Sequence, residues 1–89
     1  MIVNACVKFH TVTGKIYNIP CHRHGDAFYI ISQFLDASEL DKTQTEQGFL
    51  DHNDTFLNRY EAMQEAIKCQ QVPPGADKLC AELYSEDLW

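Results

Sequence analysis

The chain has 89 residues, 45% hydrophobic and 11% aromatic, enough apolar surface for a packed core and too much for a disordered segment. Thirteen acidic against seven basic residues give a net charge of −6, which opposes broad binding to duplex nucleic acid. No apolar run approaches the roughly 20 residues of a membrane span and no signal-peptide pattern opens the chain, so a single cytoplasmic α+β domain over residues 1–89 is expected, with no membrane partner.

Val3, Ala5, Val7 and Phe9 alternate with polar Asn4, Lys8 and His10, and this period of two predicts a half-buried strand with the odd positions inward. Thr11-Val12-Thr13-Gly14 supplies a turn, and Lys15 to Ile19 return as a second strand that Pro20 closes by removing a backbone donor. An N-terminal hairpin results. The period then changes: Ala27, Ile30, Ile31, Phe34 and Leu35 have the i, i+3, i+4, i+7, i+8 spacing of one buried helical face, predicting a helix over Gly25 to Asp36. Ala37 to Gln47 is polar and aperiodic and reads as a solvated connection or a short frayed helix.

Gly48-Phe49-Leu50 and Thr55-Phe56-Leu57 flank the Asx-rich Asp51-His52-Asn53-Asp54, the pattern of a second short hairpin. Asn58 and Glu61 have capping-box spacing and Leu57 with Ala62 that of a hydrophobic staple. The helix they start carries Ala62, Met63, Ala66 and Ile67 inward and stops before Pro73-Pro74-Gly75. Ala76, Leu79, Cys80 and Leu83 suit a short third helix. The Leu83-Tyr84-Ser85-Glu86-Asp87-Leu88-Trp89 tail, with its terminal Leu-Trp, should pack on its own domain or on a neighbouring subunit.

Cys6, Cys21, Cys69 and Cys80 stand 15, 48 and 11 residues apart, without the short spacings of a zinc ribbon. In a reducing compartment they read as free and mostly buried thiols. The His22-x-His24 pair is a weak zinc candidate, with Asp26 or His52 to complete the sphere. The Asp51 to Asp54 turn carries too few carboxylates for a calcium loop. His22 or His24 with Cys21 or Cys69 offers a nucleophile and base only if the thiol has an electropositive setting. No metal, cofactor or catalytic residue is assigned on this evidence.

The best functional candidate is an anion site. Counting back from Ala27 puts His24 and Arg23 on the buried side at the first helix start, and counting back from Ala62 and Met63 puts Arg59 at the second. A helix N-terminus already carries partial positive charge, so cations there are disfavoured unless an anion joins them. Arg23, His24, Arg59 and His22, with free backbone N–H groups, suit a phosphate or carboxylate. Phe28, Tyr29, Tyr60 and Trp89 are the candidates to stack on a base. The competing reading is structural: a first-turn arginine pairs with a nearby acid, here Asp26, Glu86 or Asp87.

The Arg23-His24-x-Asp26 segment, the Gln47-Gly48-Phe49 run leading through Phe56-Leu57-Asn58-Arg59 to Glu61-Ala62, and the terminal Leu-Tyr-Ser-Glu-Asp-Leu-Trp together resemble a family of small bacteriophage and prophage proteins. Gly25 stands where that pattern has another polar residue, often histidine, which argues against a catalytic or metal role for the histidines. A phage origin implies action in the host cytoplasm by a homo-oligomer. A non-enzymatic binder that sequesters a phosphorylated small molecule or nucleotide signal fits the anion site. The alternatives are a module that occupies a host protein through its acidic surface and tail, and a small hydrolase with His24 as general base.

Overall fold

The computed structural model describes residues 1–89. Strand β1 (Ile2–His10) turns at Thr11 to Gly14 into β2 (Ile16–Cys21). Gly14 takes a φ of +89° in that turn, a conformation cheap only without a Cβ. Helix α1 (His24–Ser32) follows, then two turns of 3-10 helix at Ala37–Glu39 and Lys42–Gln44. β3 (Glu46–Asp51) and β4 (Phe56–Asn58) lead directly into α2 (Arg59–Lys68), and a short α3 (Ala76–Leu79) precedes the tail. The two expected hairpins merge, because β1 also pairs with β3. The result is one antiparallel four-stranded sheet in the order β2-β1-β3-β4.

Both main helices cover the same sheet face, α1 over β2 and β1, α2 over β3 and β4. Ala5, Val7, Phe9 and Phe49 lie beneath them and are buried with Ala27, Ile31, Ala62, Met63, Ala66 and Leu83. The strand alternation predicts this face correctly except at its first member. A register irregularity between Ile2 and Asn4 puts one extra residue into β1 and reverses the alternation there. Ile2 therefore enters the core and Val3 stays 40% exposed.

Three further details differ from the sequence reading. β2 runs through Pro20 to Cys21, because it is an edge strand and proline's missing donor is tolerated on an edge. α1 ends at Ser32, four residues before Asp36. Asp36 instead caps the next 3-10 turn, where its backbone N–H bonds the Glu39 carboxylate at 2.9 Å. Leu35 still folds onto the core while Phe34 swings out to 75% exposure. Glu46 and Gln47, read as connection, open β3.

α2 begins as expected: the Asn58 side chain accepts from the Glu61 amide at 2.8 Å, and the Glu61 carboxylate accepts from the Asn58 amide at 3.0 Å. Such a cap contributes about 1 kcal/mol. The cysteines are all free, but only Cys6 and Cys21 are buried. Burial pushes the Cys6 thiol up to about 11, so it is an inert core group.

The other sheet face carries no helix. There the Phe56 ring crosses directly over Gly48, and a Cβ at position 48 would lie 2.5 Å from Phe56 Cζ and collide with the Leu57 carbonyl oxygen. Gly48→Ala is therefore expected to lower unfolding stability by about 2 kcal/mol or more, the cost of overpacking plus backbone displacement. A denaturant midpoint unchanged from wild type in chemical unfolding would contradict this account of the β3-β4 contact.

Candidate functional site

The starts of α1 and α2 lie near each other above β3, and the tail is folded across them. His24, the first residue of α1, is 7% exposed. Its Nε2–H donates to the Gly48 carbonyl at 2.7 Å, and its ring stands edge-on to Phe49 at 5.1 Å. Burial holds its pKa below the usual histidine value, and the nearby Arg59 charge adds to that, against a smaller opposing effect of the Gly48 carbonyl and Glu86. His24 is thus a neutral core donor whose Nε2 is already engaged.

The tail stays on its own chain. The Leu83 amide donates to the Arg59 carbonyl at 3.0 Å, Leu83 and Ser85 are buried, and Trp89 stacks on Phe49 with centroids 6.4 Å apart. His22 lies against the same Trp89 at 5.3 Å. Trp89 and His22 therefore form the closure of the tail over the core. Arg23 Nη1 sits 3.8 Å from a Glu86 carboxylate oxygen, the pairing that the structural reading of the first-turn arginine names.

Arg59 has a different setting. Its Nη2 donates to the Gln47 side-chain oxygen, its guanidinium lies over the Tyr84 ring at 4.7 Å, and its Nη1 is 3.8 Å from Glu82. Arg59 Nε is buried without a hydrogen-bond partner. The Glu82 carboxylate also raises the pKa of both Tyr60 and Tyr84, and is the main cause at each. An ion pair at this distance with partly exposed partners contributes no more than about 1 kcal/mol, so Glu82 is a weakly held internal anion.

Two cavities meet here on the sheet between the helices. One, of about 350 Å³, is lined by Thr45, Glu46, Gln47, Arg59, Tyr60 and Glu82. The other, of about 330 Å³, is lined by Phe9, Phe28, Leu40, Lys42, Thr45 and Gln47. They share Thr45 and Gln47, and so form one furrow with Phe28 in one half and Tyr60 in the other. Tyr29, 71% exposed, lines neither cavity. Of the seven residues nominated for phosphate or aromatic contact besides His22, the furrow gathers Arg59, Phe28 and Tyr60; Arg23, His24 and Trp89 belong to the tail closure, and Tyr29 to neither. Lys42, Thr45 and Gln47 were missed, because a polar aperiodic stretch carries no sign of which residues face a cleft.

No group of three or more His, Cys, Asp or Glu side chains is placed to hold a metal ion. No helix is long and apolar enough to cross a membrane.

The family model of the phage T4 y16D protein matches residues 1–89. The chain belongs to that family. Searches of curated proteins and of solved structures find no match. Membership establishes the small phage protein that the Arg23-His24, Gly48-Phe49 and C-terminal blocks resemble.

The His24 environment yields a pH dependence. With the folded-state pKa below the unfolded value, the unfolded chain binds the proton first as pH falls. His24 thus costs stability as pH drops below about 6.5. The hydrogen-bonded carboxylates Asp41, Asp51 and Glu65, whose pKa values are lowered, lose their contribution only in a more acid window, near and below pH 4. Melting temperature should fall between pH 7.5 and pH 5 in the wild type, and His24→Gln should flatten that fall. Equal slopes for the two proteins would show that His24 is not the titrating group.

Proposed function

We propose that this phage protein is a non-enzymatic binder of a phosphorylated small molecule, with a nucleotide as the favoured class, seated in the furrow between α1 and α2. The observation that carries this reading is Arg59. It is anchored by Gln47 and Tyr84, keeps Nε buried and unpaired, and faces a loosely held carboxylate rather than a bidentate one. A phosphate displacing Glu82 would satisfy the guanidinium with charge-assisted bonds stronger than a 3.8 Å ion pair. Lys42 supplies a second cation, and Phe28 and Tyr60 supply π faces for a base. Each half of the furrow falls at the lower end of the about 300–1,000 Å³ usual for small-molecule sites.

Binding without turnover is favoured because the histidine best placed to act as a base, His24, commits its Nε2 to a backbone carbonyl. Arg23, paired with Glu86 in the tail closure, lies outside the furrow and leaves Arg59 as the main anion contact. In the host cytoplasm a protein of this kind would withdraw a nucleotide signal from a host defence system. Its overall acidity keeps it off nucleic acids.

A thermal-shift panel of linear and cyclic nucleotides tests the reading. Saturable stabilisation is expected, with the nucleotide recovered intact. Arg59→Ala should weaken binding by about tenfold or more, as befits the loss of a charged hydrogen bond. Glu82→Gln should tighten it several-fold by removing the internal competitor. If no nucleotide shifts the wild type or Glu82→Gln, or if Arg59→Ala binds as the wild type does, the reading fails.

A further inference from the structure

A second surface lies across α1 from the furrow, at the β2 edge of the sheet. β2 has only β1 as a neighbour, and none of the backbone bonds outside the regular elements involves residues 16–21. The Thr11 amide bonds the Lys15 carbonyl at 2.8 Å. Hydrogen-bonded and non-bonded pairs alternate along an antiparallel ladder. From that starting point Phe9 with Tyr17, Val7 with Ile19, and Ala5 with Cys21 are the bonded pairs. Ile16, Asn18 and Pro20 consequently direct their backbone groups outward, and Pro20, which has no N–H, sits where β1 asks for none.

An apolar groove runs alongside this open edge. Tyr17, Ile19, Ile31, Phe34 and Leu35 line a cavity of about 450 Å³, and Phe34 stands 75% exposed at its rim. Such an edge is a template for another strand unless charge or structure blunts it. Its charge is unusual for this molecule. All thirteen acidic residues lie from Asp26 onward, and residues 1–25 contain none. β2 itself carries no charged side chain.

We infer that β2 is the dimerisation edge of the protein and that its occupant is β2 of a second copy, antiparallel, with the twofold axis at Asn18. In this register the Asn18 N–H groups and carbonyls of the two copies exchange hydrogen bonds. The Ile16 N–H reaches the Pro20 carbonyl of the second copy, so the donor that proline lacks leaves only the Ile16 carbonyl without a strand partner. Tyr17 of each copy comes beside Ile19 of the other, which joins the two grooves and lets Phe34 cover the seam. Two chains of net charge −6 repel over most of their surfaces, and this acid-free edge is where they can meet with least opposition. A closed twofold pairing also removes an exposed edge that would otherwise recruit strands without limit.

Multi-angle light scattering across a micromolar dilution series provides the test. The wild type is expected to show twice the 10.2 kDa chain mass, falling toward the monomer on dilution. Asn18→Pro removes the outward donor at the twofold axis without touching the β1 ladder, and Phe34→Glu places a charge in the seam. Both should be monomeric at concentrations where the wild type is dimeric, with circular dichroism showing that each is folded. Should Asn18→Pro misfold, Phe34→Glu alone decides. A wild type that remains monomeric throughout, leaving the groove to some other occupant, overturns the inference. So does a dimer that Phe34→Glu, folded, leaves intact.

Discussion

The hydrogen bond from His24 to the Gly48 carbonyl ties the start of α1 to the middle of β3, and much of the architecture around the furrow depends on it. It fixes the imidazole edge-on to Phe49, on which Trp89 also stacks. It also helps satisfy a carbonyl in a stretch where Phe56 closes the opposite face. A neutral histidine suits this place because it supplies one N–H in a buried setting where a full charge would be costly. The same bond keeps His24 from serving as a free cation. The electrostatics above the sheet consequently rest on the two arginines.

The tail completes what the sheet and two helices leave unfinished. A chain of this size buries only about two thirds of its unfolded surface, and Leu83, fully buried, contributes about 2 kcal/mol of apolar burial on its own. The tail also brings Glu82 and Glu86 to Arg59 and Arg23. It thereby joins stability to electrostatics: the residues that cover the core also neutralise the cations beside it. The two arginines are neutralised alike, each by one carboxylate at 3.8 Å and each with one buried nitrogen left without a hydrogen-bond partner, but their settings differ. Arg23 lies under the tail with Glu86, whereas Arg59 opens onto a furrow with an aromatic residue in each half.

The charge distribution separates the furrow from the β2 edge. The hairpin of β1 and β2 has no acid, while the remainder of the chain holds all thirteen. The furrow therefore concentrates its few cations inside an acidic shell, a setting that favours a small anion held by specific contacts over a long polyanion held by general attraction. The β2 edge offers backbone groups and apolar side chains with little charge, which suits protein contact. The two surfaces lie on opposite sides of α1.

The α+β class, both strands of the first hairpin and the capped start of α2 were legible in the sequence. They depend on local periodicity and on side chains that bond the backbone within three residues, as Asn58 and Glu61 do. The inward sides of His24 and Arg59 were legible for the same reason, since helical spacing alone sets them. The bulge that exchanges Val3 for Ile2 was hidden, because it arises from the pairing of β1 with β3 across long sequence separation. The early end of α1 was hidden too, because Asp36 satisfies a new turn instead of prolonging the old one. Only the tertiary structure decided that Glu82 faces Arg59, that Trp89 lies on Phe49 and His22, and that Gln47, Thr45 and Lys42 share a cleft with Phe28 and Tyr60. Periodicity determines which way a residue points from its own element; it carries no record of which distant residue lies opposite, and a binding site is made of such oppositions.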